Sequence, residues 1–139
     1  MTQVEFHHNA TDRTQAICRL IAERVAGGQR LWVFVPEPTE AEAIDRALWT
    51  FNALSFVPHC REGSPLAGET PVVIGGVKDA TADVLVNYSN VMPPEAERFA
   101  ILVEVVGQEA ADREAARQRF KQYRERGFAL STHDLNEAK

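Results

Sequence analysis

Basic residues cluster between positions 113 and 126, and this is the part of the sequence best suited to binding chemistry. The segment REAARQRFKQYRER holds six basic residues against two acidic ones. On a helix that advances about 100° per residue, four of these cations and one aromatic ring share an arc of roughly 100°. The five residues on this arc are Arg113, Arg117, Phe120, Lys121 and Arg124. Arg119 and Arg126 point away from it.

This arrangement of charge and aromatic surface favours one kind of ligand. Guanidinium groups form paired hydrogen bonds with carboxylates, and a ring between them can hold an apolar side chain. An acidic peptide that ends in hydrophobic residues would match both features. The alternative is a solvated helix end, where the macrodipole stabilises cations. That alternative explains Arg124 and Arg126 but not four cations around a ring, and the pattern alone leaves both interpretations open.

Two further aromatic residues are candidate anchors for a protein partner. Trp49 falls at the end of a predicted helix, and Phe56 falls in the loop that follows. Large apolar side chains at such positions anchor partner proteins when they are exposed. The alternative is that both rings cap the hydrophobic core.

Residue types that perform catalysis or bind metals do not occur at the spacing those functions need. His7 and His8 are adjacent, so on a strand they point to opposite faces and cannot hold one ion together. Cys18 and Cys60 are too few for a disulfide framework or a four-ligand zinc site. Carboxylates are scattered. We therefore expect no catalytic residue, no metal ligand and no cofactor.

Strands and helices alternate along the first half of the chain. Residues 4–7 and 31–35 have strand patterns, half-buried and fully buried respectively. Asp12 precedes Gln15 by three positions, and Thr39 precedes Glu42 by three, so both pairs predict capping boxes at helix starts. The second helix is expected to end near Trp49, and residues 50–70 read as loop and turn.

The second half of the chain repeats this alternation. Residues 71–74, 83–88 and 100–106 are predicted strands, and the short gap between the first two permits a hairpin. A helix is expected from about Glu109 to Arg126, ended by Gly127, with residues 128–130 packing back. The fold class is therefore a single-domain α/β protein over residues 1–139, with a mainly parallel central sheet flanked by helices. It is Rossmann-like without phosphate-binding glycines, because neither G-x-G-x-x-G nor G-x-x-x-x-G-K-[ST] is present.

Composition excludes several classes of protein. The chain has 139 residues, of which 45% are hydrophobic and 25% are charged. Its net charge is −5 and its pI is near 5.4. Outside residues 113–126, nine basic residues face eighteen acidic ones, which argues against a generic nucleic-acid binder. No apolar run could span a bilayer or serve as a signal peptide. We therefore expect that the protein does not contact a membrane and that it is located in the reducing cytoplasm.

Two sequence blocks resemble the chi subunit of bacterial DNA polymerase III holoenzyme. They are ALW…SFVPH, from Ala47 to His59, and R-x-R-F-K-x-Y-R-x-x-G-F, from Arg117 to Phe128. The order of strands and helices is also similar over nearly the whole chain. The resemblance implies a non-catalytic accessory of the DNA-directed DNA polymerase in the clamp-loader complex, located in the nucleoid-associated replisome.

The same resemblance implies two protein partners. One is the psi subunit, or an alternative repair helicase, held at Trp49 and Phe56. The other is the acidic C-terminal tail of single-stranded DNA-binding protein (SSB), which gives indirect contact with single-stranded DNA. Carried over position by position, the tail pocket consists of Val106, Arg113, Arg117, Phe120, Lys121 and Arg124.

Two other functions remain as alternatives. A small Rossmann-like nucleotide-binding enzyme would be stabilised thermally by a mononucleotide or dinucleotide. Direct binding of single-stranded DNA through the basic helix would require stacking platforms, and Phe120 is a lone ring there.

Overall fold

Seven parallel strands form the sheet of this protein, whose computed structural model describes residues 2–51, 57–76 and 82–135. The strands are β1 (Gln3–Ala10), β2 (Leu31–Phe34), β3 (His59–Arg61), β4 (Val72–Gly75), β5 (Val84–Asn87), β6 (Ile101–Gly107) and β7 (Ala129–Asp134). Their order across the sheet is β3-β4-β2-β5-β6-β1-β7, and each neighbouring pair is parallel. The predicted parallel α/β architecture is confirmed.

Three α-helices in the described ranges connect β1 to β2, β2 to β3 and β6 to β7. They are α1 (Arg13–Ala26), α2 (Pro38–Thr50) and α3 (Ala110–Glu125), and a short 3₁₀ turn covers Ala96–Arg98. As predicted, Asp12 caps α1, because its carboxylate accepts a 3.0 Å hydrogen bond from the Gln15 amide. Gly127 follows α3 with a φ of 83°, a left-handed conformation that glycine adopts without steric cost. None of the helices in the described ranges is long and apolar enough to cross a membrane.

Both faces of the sheet are covered, which explains the continuous apolar runs of its strands. On one face, α1 and α2 bury a cluster that includes Ile17, Ile44 and Val33. On the other face, α3 and the segment around the 3₁₀ turn bury a second cluster, which includes Phe6, Leu102, Phe99 and Tyr123. The basic helix is therefore held to the sheet by an apolar underside.

Two of the predictions from local sequence are wrong. β4 and β5 do not form a hairpin, because β2 lies between them and pairs with both in parallel. The second capping box is also absent, since α2 begins one residue before Thr39, at Pro38. Proline suits the first helical turn because its φ is fixed and it needs no amide partner there.

Two strands were not predicted at all. β3 lies inside the segment that was expected to be loop. Because it has only three residues, it is too short to show an alternation of apolar and polar residues. β7 has the sequence ALSTHD, whose polar residues do not alternate with apolar ones. It forms by parallel pairing with β1, as Leu130 and Thr132 pair with Val4 and Phe6.

Candidate peptide-binding groove

α3 positions the basic residues by burying its opposite side. The segment is rich in strong helix formers such as Ala, Arg, Gln and Glu. Ala116, Arg119 and Tyr123, at spacings of three and four, form its buried stripe. Arg113, Arg117, Lys121 and Arg124 are exposed on the flank of this stripe. The arc predicted from helical spacing is therefore present on the folded helix.

A groove of about 250 Å³ lies between α3 and the sheet. It brings together four of the residues predicted from the sequence: Val106, Arg113, Arg117 and Phe120. Four more residues complete its lining: Phe6, His8, Ala116 and Thr132. Residues of the sheet and of α3 thus form an apolar floor, and the guanidinium groups of Arg113 and Arg117 line the groove on the α3 side.

Phe120 forms part of the floor and is fixed by neighbouring rings. Its ring centroid lies 5.2 Å from that of Phe6, in an edge-to-face arrangement. The Arg124 guanidinium carbon lies 5.9 Å from the centre of the Phe120 ring, within the range of a cation–π contact. Arg124 is thereby joined to the groove although it does not line it. Lys121, the residue after Phe120 on α3, is exposed.

The two arginines of the groove are available to a ligand. Arg117 donates to the Glu114 carboxylate at 3.1 Å, but both side chains are largely exposed, at 68% and 61%. Exposed pairs of this kind contribute little, so a bound carboxylate can replace Glu114 at low cost. Within the described ranges, the Arg113 guanidinium has no hydrogen-bonding or ion-pair partner.

A buried polar cluster anchors α3 beneath the groove. The Glu104 carboxylate, fully buried on β6, accepts hydrogen bonds from Arg119 at 3.1 Å, Tyr123 at 2.5 Å and Asn87 at 2.8 Å. Burial raises the pKa of Glu104, and the Arg119 guanidinium opposes that rise. Burial and the Glu104 carboxylate raise the pKa of Tyr123, so its hydroxyl remains a donor. The prediction that Arg119 points away from the basic arc is correct, and its partner is internal.

Phe6, His8, Ala116 and Thr132 are groove residues that were not predicted from the sequence. The sequence analysis did place His7 and His8 on opposite faces of β1, which is confirmed: His8 lines the groove, whereas His7 stacks on His133 at 4.6 Å. The sequence does carry a signal for His8: residues two apart on a strand share a face, so His8 lies on the same face of β1 as Phe6. Thr132 had no such signal, since β7 was not predicted to be a strand.

His7 and His133 also lie close to Glu5 on the face opposite the groove. Ligand-type atoms of these three residues lie within 4.8 Å of one another. His7 bonds the Glu5 carboxylate at 3.0 Å, and the Arg24 guanidinium bonds the same oxygen. A guanidinium already paired with that carboxylate opposes a second cation, so we interpret the cluster as an ion-pair network that ties α1 to β1.

Ligands of open α/β sheets usually bind outside the carboxyl ends of the strands. At the carboxyl ends of β5 and β6, this space is occupied by the Arg13 side chain. Its guanidinium donates to the Val105 carbonyl at 2.9 Å and the Ser89 carbonyl at 3.0 Å, and lies 5.3 Å from the centre of the Tyr88 ring. Arg13 therefore links the start of α1 to the ends of these two strands.

Trp49, the other predicted partner contact, is at the opposite edge of the sheet. It lies in the last turn of α2, is 57% exposed, and packs edge to face against His59 of β3 at 4.9 Å. The interpretation that this ring caps the core is therefore wrong. Phe56, predicted to act with it, lies outside the described residues.

The fold and the groove define a Rossmann-like α/β protein with a cationic, apolar-floored groove on its third helix. Comparison with known proteins identifies the family. The sequence matches the family described as DNA polymerase III chi subunit, HolC, over residues 1–131. The chain belongs to this family of accessory subunits, which confirms the resemblance inferred from the two sequence blocks.

Curated relatives agree with this assignment. The chain is 33% identical to DNA polymerase III subunit chi of Escherichia coli over 121 residues, which cover 85% of this chain and 82% of that protein. It is 28% identical to the same subunit of Pseudomonas aeruginosa over 139 residues, covering 97% and 98%. The subunit of Haemophilus influenzae is 28% identical over 121 residues, covering 85% and 84%.

A solved structure with a similar fold is the C-terminal domain of the DEAD-box protein Dbp5. It superimposes with a TM-score of 0.62 at 12% sequence identity, covering 98% of this chain and 91% of that one. This similarity concerns the fold alone.

Proposed function

We propose that this protein is a non-catalytic chi subunit that links the psi subunit to the C-terminal tail of SSB during DNA replication. It would work in the cytoplasm, at the nucleoid-associated replisome, and would reach single-stranded DNA through SSB. One face of the molecule holds psi, and the groove on α3 holds the tail.

The observation that supports tail binding is the composition of the groove. Its floor contains Phe6, Val106, Ala116 and Phe120, a surface that matches the apolar end of a peptide. Arg113 and Arg117 line it too, and Arg124 packs against its aromatic ring. Such cations form charge-assisted hydrogen bonds with acidic side chains and a terminal carboxylate. A ligand that fits this groove therefore carries both acidic groups and an apolar end, as an acidic tail that ends in hydrophobic residues does.

Preorganisation supports the same proposal. The buried Glu104–Arg119–Tyr123 cluster fixes the rotation of α3 on the sheet, so its cations face the groove before a ligand arrives. A binding surface that is already ordered loses less conformational entropy on binding.

The test of this proposal is titration of a labelled SSB-tail peptide into the purified protein at two salt concentrations. Saturable binding that weakens with salt is expected, because ion pairs contribute to it. Arg117→Ala should cost on the order of 1–3 kcal/mol of binding free energy, as loss of a charge-assisted hydrogen bond. Arg126→Ala, which removes the same charge outside the arc, at the residue that follows α3, is the matched control and should bind nearly as wild type. Equal affinity of the two variants would refute the assignment of the groove.

A separate prediction concerns psi. Because Trp49 is exposed at the β3 edge, Trp49→Ala should cost about 2 kcal/mol or more of psi affinity, the effect expected of an aromatic hot spot. Calorimetric titration of psi into each variant measures this loss. The control is Leu66→Ala, which shortens another exposed apolar side chain, in the loop between β3 and β4. Unchanged psi binding by Trp49→Ala would mean that psi, or a repair helicase in its place, contacts another surface.

A further inference from the structure

His8 occupies a position in the groove that suggests a role in ligand binding. Its side chain is half-buried and lines the groove together with Arg113 and Arg117. No hydrogen bond or ion pair joins its imidazole to another residue within the described part of the chain. The imidazole is therefore free to bond a ligand that enters the groove.

The geometry of β1 and α3 places His8 level with the arginines. Phe6 contacts Phe120, and His8 lies two residues further along β1, about 6–7 Å away. α3 connects two parallel strands, so it runs in the opposite direction, and four residues before Phe120 also correspond to about 6 Å. His8 therefore faces the level of Ala116 and Arg117 from the sheet side of the groove.

We propose that His8 is a further tail-binding residue, which donates a hydrogen bond to a carboxylate of the acidic peptide from the side opposite Arg113 and Arg117. This inference rests on the proposed function of the groove. A carboxylate in the groove would then be contacted from two sides, by guanidinium on the helix and by imidazole on the sheet. The ligand class is an acidic peptide with an apolar end.

The charges that face His8 determine how binding should depend on pH. Arg113 and Arg117 face it from α3, and Val106 contributes no charge from β6. On β7, Asp134 is its register partner, and the Asp134 carboxylate accepts a 3.3 Å hydrogen bond from the Asn9 side chain. Histidine side chains in general gain a proton between pH 8 and pH 5.5, whereas peptide carboxylates stay ionised there. Tail affinity should therefore rise as the pH falls across this range.

The experiment is titration of the labelled SSB-tail peptide at pH 8 and pH 5.5 into wild type, His8→Gln and His133→Gln. For the wild type we expect about fivefold tighter binding at pH 5.5, because an imidazolium donates a stronger, charge-assisted hydrogen bond than a neutral imidazole does. His8→Gln keeps a polar donor without titrating, so its affinity should change by less than about twofold. His133 lies on the neighbouring strand with its ring stacked on His7, on the face opposite the groove, so His133→Gln is the matched control and should keep the full pH response.

The possible outcomes separate this inference from the proposed function. Equal pH responses of wild type and His8→Gln would overturn the role of His8 while leaving tail binding intact. Failure of Arg117→Ala to weaken binding at pH 8 would instead remove the groove as the tail site. Thermal unfolding of His8→Gln at both pH values checks that the variant is folded, and His8→Asn offers a second non-titrating side chain if it is not.

Discussion

At the scale of single residues, the pair of Glu104 and Arg119 shows how burial changes the importance of an ion pair. Its 3.1 Å contact is as long as that between Glu42 and Arg46 on the surface of α2. The side chains of the first pair are 0% and 4% exposed, whereas those of the second are 64% and 75% exposed. Loss of one member of a buried pair leaves an uncompensated charge in the interior, whereas an exposed charge remains solvated.

Glu104→Gln should therefore lower the free energy of unfolding by about 3 kcal/mol or more. The same change on the surface, Glu42→Gln, should alter it by less than about 0.5 kcal/mol. The double variant Glu104→Gln with Arg119→Met removes both charges and should be more stable than Glu104→Gln alone. Urea denaturation of the four proteins measures these differences, and equal effects of the buried and exposed substitutions would show that the pair does not anchor α3.

At the scale of secondary-structure elements, an ion-pair network joins the end of α1 to β1. Glu5 of β1 bonds both His7 and Arg24, and Arg24 lies in the last turn of α1. The hydrogen bond from His7, together with the Arg24 guanidinium, holds the pKa of Glu5 below its usual range, although burial acts in the opposite direction. The helix and the strand are thus linked most strongly when Glu5 is ionised.

This network should make stability depend on pH in the acid range. Since the pKa of Glu5 is lower in the folded than in the unfolded state, its contribution is fully present above the ordinary carboxyl pKa of about 4.5. The contribution is lost as the pH falls through the lowered folded pKa. Glu5→Gln should therefore lower the melting temperature at pH 6, and the gap to wild type should narrow at pH 3. A gap of constant size at both pH values would contradict this account.

The elements also show what the sequence could and could not predict. Asp12 and Gly127 marked the ends of α1 and α3 correctly, because capping depends on residues close in sequence. Strand pairing depends on distant residues, so the insertion of β2 between β4 and β5 was not predictable from a short gap between them. β7 illustrates the same limit, because its polar residues become a strand only by pairing with β1.

The candidate groove was predicted in part for the same physical reason. Helical periodicity alone identified Arg113, Arg117 and Phe120, since all three belong to one helix. His8 and Thr132 come from two strands whose pairing is not local, so they appear only in the folded structure. Helix residues of a site are accessible to pattern analysis, whereas the residues that face them across the site are not.

At the scale of the whole molecule, the order of the strands separates two surfaces. Trp49 packs against β3 at one edge of the sheet, and the groove is built on β1, β6 and β7 at the other edge. Five inter-strand spacings between β3 and β1 correspond to about 24 Å. Molecules bound at both proposed sites would therefore be held apart by this width of sheet and would not compete for the same surface.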